Sequence, residues 1–130
     1  MGKRVLVVDD NTYTADSFAR LISLCGHEAS VAYSGREAVG RTAELLPDLV
    51  LLDIDMPGMD GYEAAARIRR DHAHSQPILI AVTGWAREED QFRAYDAGFD
   101  LHVAKPLTLD RLKEVMAMLD PAERRTTLAE

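Results

Sequence analysis

Residues 49–53 read Leu49-Val50-Leu51-Leu52-Asp53, four apolar side chains in succession followed at once by a carboxylate. The run is too short for a stable helix. Its lack of polar alternation predicts a strand buried on both faces, as in a parallel sheet covered by helices. Four further apolar runs, at residues 5–8, 29–32, 78–82 and 101–104, are predicted as strands on the same grounds. The run at 29–32 is the weakest and is assigned to an edge of the sheet.

The segments between these runs carry helical period. From Ala15, the residues Phe18, Leu21, Ile22 and Cys25 share one face, with Asn11 available as N-cap and Gly26 where a helix-ending glycine belongs. Cys25 is expected to pack there as a small hydrophobe. Ser34 and Glu37 form a capping-box pattern before Ala38, Val39, Thr42, Leu45 and Leu46, and Pro47 ends that helix. Asp60 opens a third helix through Tyr62, Ala64, Ala65 and Ile68, with Arg67, Arg69 and Arg70 in its last turns, where cations suit the helix dipole. A fourth runs over 88–97 and is closed by Gly98. A fifth carries Leu109, Leu112, Val115, Met116 and Leu119 on one stripe.

Strand and helix therefore alternate five times. Parallel strands joined by right-handed crossovers place helices on both faces, so the expected fold is α/β, a doubly wound five-stranded parallel sandwich. The 130 residues suit one domain, assigned to residues 1–120. The polar tail at 121–130 is read as a disordered end, a short helix capped by Asp120-Pro121, or the stub of a longer chain. Fifteen Lys and Arg against 22 Asp and Glu give a net charge of −7, the wrong sign for a nucleic-acid binder that works by phosphate neutralisation. A single cysteine, the absence of a signal-peptide core and the lack of any long apolar span point to a cytoplasmic protein with no membrane insertion.

In doubly wound sheets, ligands bind beyond the carboxyl ends of the strands. Those ends carry Asp9-Asp10, Asp53, Thr83-Gly84 and Lys105-Pro106. Three carboxylates crowded together repel unless they share a cation, and an all-oxygen set with room for water suits Mg²⁺, or Mn²⁺, better than zinc. Asp53, rigidly placed at the end of a central strand, is a candidate nucleophile that forms an aspartyl phosphate beside the metal. Lys105 supplies a point charge and Thr83 a hydroxyl for phosphoryl oxygens, with backbone N–H groups at a helix start expected to add more. The Lys105-Pro106 peptide is a candidate for either isomer.

Together these stretches resemble the response-regulator receiver domain of two-component signalling. The match runs from Val5-Leu6-Val7-Val8-Asp9-Asp10-Asn11, through Leu51-Leu52-Asp53-Ile54-Asp55-Met56-Pro57-Gly58-Met59-Asp60-Gly61 and Ala81-Val82-Thr83-Gly84, to Ala104-Lys105-Pro106-Leu107. The resemblance implies a flavodoxin-like fold with strand order 2-1-3-4-5. It implies phosphorylation of Asp53 by a histidine kinase or histidine phosphotransfer protein. It also implies Mg²⁺ held by Asp10, Asp53 and the backbone carbonyl of Asp55, with Asp9 acting partly through a water. Receivers often carry Tyr or Phe three residues before the lysine, where this chain has His102. The surroundings of Thr83-Gly84-Trp85 and Lys105-Pro106 are similar to receivers of hybrid histidine kinases, while the length matches a stand-alone single-domain regulator. Output then passes to another protein or to a domain of a parent chain, through a switch surface that includes Thr83, Trp85, His102 and Pro106.

Other readings attach to the same residues. Asp9, Asp10 and Asp53 can be solvated or helix-capping aspartates. His72 and His74 read as a solvated loop rather than a metal site. His102 is either an edge-strand residue facing solvent or a switch contact, and Trp85 either packing or a contact on a moving loop. Asp53-Ile54-Asp55 also resembles the D-x-D of haloacid-dehalogenase phosphatases, although Pro57 and the short chain depart from that pattern. A phosphorylation-independent interaction module is a third possibility.

Overall fold

The computed structural model describes residues 2–73, 76–84 and 87–117. Its elements alternate as β1 (Arg4–Val8), α1 (Thr12–Leu24), β2 (Glu28–Ala32), α2 (Gly35–Leu45), β3 (Leu49–Asp53), α3 (Gly61–Asp71), β4 (Ile78–Thr83), α4 (Glu88–Ala97), β5 (Leu101–Ala104) and α5 (Leu109–Ala117). All pairings are parallel and the order is β2-β1-β3-β4-β5, so the weak second run does form an edge.

Side-chain parity along each strand splits the core into two layers. Leu6, Val8, Val50, Leu52, Leu79 and Ala81 pack against Ala38, Ala64, Ala65, Ile68 and Ala94 of α2, α3 and α4. Val5, Val7, Leu49, Leu51, Ile80 and Val103 pack against Ala15 and Ile22 of α1 and Leu112, Val115 and Met116 of α5. The central strand β3 is buried along its whole length, Asp53 included, which is why its sequence shows no alternation.

Local chemistry closes the helices where expected. The Asn11 side chain accepts from the Thr14 N–H, that of Ser34 from the Glu37 N–H and that of Asp60 from the Glu63 N–H. Gly98, at φ +110°, ends α4 in the left-handed region. Three residues at helix ends depart from the apolar faces assigned to them. Cys25 is exposed, because α1 stops at Leu24 and the cysteine caps it outside the last helical turn. Leu46 is 54% exposed, because it adopts the left-handed C-cap conformation at φ 48° and swings off the face that Leu45 continues. Leu109 is 41% exposed at the open first turn of α5. The expectations placed on His74, Trp85, Leu119 and the 121–130 tail lie outside the described residues.

Candidate functional site at the carboxyl rim of the sheet

Strand register brings the rim together. Val8 lies opposite Leu52, Asp53 opposite Val82, and Thr83 opposite Ala104. Asp9 and Asp10 therefore leave β1 beside the end of β3, while Thr83 and Lys105 leave β4 and β5 on its other side. Carboxylate oxygens of Asp9, Asp10 and Asp53 all lie within 4.8 Å of one another. Lys105 Nζ is 3.0 Å from Asp53 Oδ1. An open cleft of about 670 Å³ is lined by these four residues together with Asn11, Thr14, Phe18, Asp55, Val82, Pro106 and Leu107. Proximity that was inferred from separate strand ends is thus realised in space.

Burial distinguishes the three carboxylates. Asp53 is 2% exposed and Asp9 8%, whereas Asp10 faces solvent. Burial raises the Asp9 pKa above its ordinary value; the Asn11 N–H donating to its Oδ1 at 2.9 Å opposes that, and the charges of Asp53 and Asp10 add to it. Burial pulls Lys105 down, but its hydrogen bond to Asp53 and the charges of Asp53, Asp9 and Asp55 outweigh it and leave the ammonium harder to deprotonate. Among the described residues, the rim is an anionic pocket with one cation, Lys105, held against Asp53.

The segment after β3 is pinned rather than loose. Ile54 and Met56 are buried in the core, the Ile54 N–H donates to the Val82 carbonyl at 3.1 Å, and the Asp55 N–H donates to Asp53 Oδ1 at 3.1 Å. Gly61 lets α3 start directly against this turn, since a Cβ there would stand 2.7 Å from the Asp53 carbonyl oxygen and 2.7 Å from Ile54 Cα. Its N–H donates to the Ile54 carbonyl at 3.1 Å.

Thr83 is 2% exposed, and its Oγ1 donates to Asp55 Oδ2 at 3.4 Å. The helix that follows Thr83, α4, begins at Glu88, and residues 85 and 86 between them lie outside the described residues. The Lys105–Pro106 peptide is cis. His102 is half-buried with its Nε2 out of reach of solvent and without a hydrogen bond among the described residues, so the solvent-facing reading is set aside. Thr14 and Phe18 were legible in the sequence only as helix residues. Their place on the cleft depends on how α1 crosses β1 and β3.

The chemistry of this donor set fits a hard divalent cation: oxygen-only ligands, high negative charge and an open side for water. A family model described as response regulator receiver domain matches residues 5–117. The polar-differentiation response regulator DivK of Brucella ovis is 33% identical over 116 residues, covering 89% of this chain and 94% of that protein. Response regulator MprA of Mycolicibacterium vanbaalenii is 35% identical over 127 residues, covering 98% of this chain but 53% of its own length. Among solved structures, a CheY-like response regulator receiver domain protein from Methanospirillum hungatei is 29% identical with a TM-score of 0.84, covering 96% of this chain and 99% of that one. Chemotaxis protein CheY4 of Vibrio cholerae, at 22% identity and a TM-score of 0.86 over 92% of this chain and all of its own, shares the fold.

Proposed function

This chain belongs to the response-regulator receiver domain family of two-component signalling, and from that premise we propose that it is a phosphorylation-driven switch whose phosphoacceptor is Asp53. The observation that carries this reading is the buried Asp53 carboxylate held 3.0 Å from Lys105 Nζ inside a cluster of three carboxylates. An Asp53 oxygen attacks the phosphorus of a phosphohistidine on a histidine kinase or phosphotransfer protein. The O–P bond forms as the N–P bond breaks, and the electron pair stays with the imidazole, which takes up a proton. Asp9, Asp10, Asp53 and the backbone carbonyl of Asp55 would hold Mg²⁺, with Mn²⁺ a substitute, and bound there it neutralises charge on the carboxylates and on phosphoryl oxygens. Lys105 passes from Asp53 to a phosphoryl oxygen, and Thr83 offers its hydroxyl to another. Hydrolysis of the acyl phosphate resets the switch slowly, so the protein is a signalling component with no turnover of free substrate.

Movement of Thr83 alters the surface formed by α4, β5 and α5, with His102 and Pro106 at or near it; Trp85, assigned to the same surface from the sequence, lies outside the described residues. That surface addresses a downstream protein or a domain of a parent chain rather than nucleic acid. We assign residues 1–120 to the receiver and 121–130 to a tail or linker. No helix among the described residues is long and apolar enough to cross a membrane, and a cytoplasmic location suits a partner kinase.

Incubation with Mg²⁺ and acetyl phosphate, followed by mass spectrometry, tests the reading. One added phosphate on the wild type and none on Asp53→Ala is expected; equal labelling of both sinks it. Sustained hydrolysis of phosphate monoesters lost in Asp55→Ala would favour a phosphatase instead.

A further inference from the structure

We propose that the Asp55 side chain is a latch on the Thr83 hydroxyl that opposes the phosphorylated state; the inference rests on the reading of Asp53 as phosphoacceptor. Asp55 touches both ends of the switch. Its backbone N–H donates to Asp53 Oδ1 at 3.1 Å, and its Oδ2 accepts from Thr83 Oγ1 at 3.4 Å. A threonine hydroxyl has a single proton, so while that proton lies on Asp55 it is withheld from an oxygen on phosphorylated Asp53. Thr83 is buried, so bulk water does not readily replace either partner.

The bond is long for an O–H donor, and therefore weak enough to be exchanged rather than locked. Asp55 is itself exposed and lines the cleft beside Asp53, which puts a full negative charge next to the place where phosphoryl oxygens arrive. The residue thus opposes the phosphorylated state in two separable ways: it holds the Thr83 proton, and it repels the phosphoryl group. Asparagine at position 55 keeps an acceptor for the hydroxyl and removes the charge, whereas alanine removes both. Because the side chain is exposed, neither substitution opens a cavity in the core.

The test uses the full chain with Mg²⁺ and beryllofluoride as phosphoryl mimic, read by titration and by the NMR resonance of the Thr83 methyl group. Asp55→Ala is expected to bind beryllofluoride more tightly than wild type by about threefold or more. Its Thr83 resonance in the free protein should already be displaced toward the bound position. Asp55→Asn should tighten binding by less and leave the free Thr83 resonance at its wild-type position. Equal binding by all three proteins overturns the latch. So does equal tightening in both variants with Thr83 unmoved, which assigns the effect to charge alone. The two readings fail differently: a wild type that neither binds beryllofluoride nor is labelled by acetyl phosphate removes the phosphoacceptor reading, whereas a labelled wild type with no Asp55 effect removes only the latch.

Discussion

Asp9 shows how a residue suited to a metal weakens the protein without one. It is buried, its pKa is raised by that burial, and Asp53 and Asp10 add repulsion. A carboxyl whose folded pKa lies above its unfolded one contributes stability fully present below the unfolded value, near 3.8, and lost as pH rises through the folded value. Asp9→Asn keeps the acceptor that receives the Asn11 N–H and removes the charge. In chelator at pH 7 it should therefore melt at a higher temperature than wild type. That advantage should shrink as the pH falls toward 3.8, while the wild type should gain more from added Mg²⁺ at neutral pH. Thermal melts of both proteins across pH, with and without Mg²⁺, check all three. Cys25 and Leu46 mark what residue types conceal: both have the chemistry of the interior, and both are exposed because the helix has ended by the time the chain reaches them.

At the scale of elements, two contacts hold the sheet to its helices at opposite ends. At the carboxyl rim, α3 abuts the turn after Asp53 through Gly61, where an added Cβ meets backbone on two sides. Gly61→Ala should cost about 2 kcal/mol by urea denaturation and should also slow labelling by acetyl phosphate, since the displaced turn carries Asp55. At the other end, Arg69 reaches from α3 to two segments, the one before β4 and the one before β5. It donates to the Gly98 carbonyl at 2.8 Å, the Pro77 carbonyl at 2.7 Å and Asp100 Oδ2 at 2.7 Å, and the same Asp100 oxygen accepts from the Leu79 N–H at 2.9 Å. The Arg69 side chain is only 18% exposed, so removing it leaves carbonyls without donors where water reaches poorly. Arg69→Met should destabilise by about 2 kcal/mol, discounted for the half-exposed Asp100, with hydrogen exchange rising first at the start of β4 and the end of α4. Labelling of Asp53 at a temperature where the variant is folded should survive, because the arginine stands at the far end of the strands.

For the molecule as a whole, a net charge of −7 is partly local, since three of its carboxylates converge on one rim. Mg²⁺ bound there would offset two of those charges where the three carboxylates meet. Saturating Mg²⁺, at a hundred times its Kd, should add about 3 kcal/mol of stability, and the increment should fall sharply in Asp10→Asn. Urea denaturation with and without Mg²⁺ measures it.

What the sequence by itself determined was the alternation of five buried strands with five amphipathic helices, the edge position of residues 29–32 and the identity of the polar groups ending each strand. These are readable because side-chain period, capping chemistry and glycine position are local properties, and a buried parallel strand announces itself by the absence of polar alternation. Only the tertiary structure decided which oxygens meet. The Lys105 to Asp53 pair, the Thr83 to Asp55 bond and the presence of Thr14 and Phe18 on the cleft span strands and helices far apart in the chain, and they depend on register and helix crossing. The half-burial of His102 and the 2.7 Å clearance that requires glycine at position 61 belong to the same class. Such distances follow from how the layers pack, and packing is a property of all the side chains together rather than of any one segment.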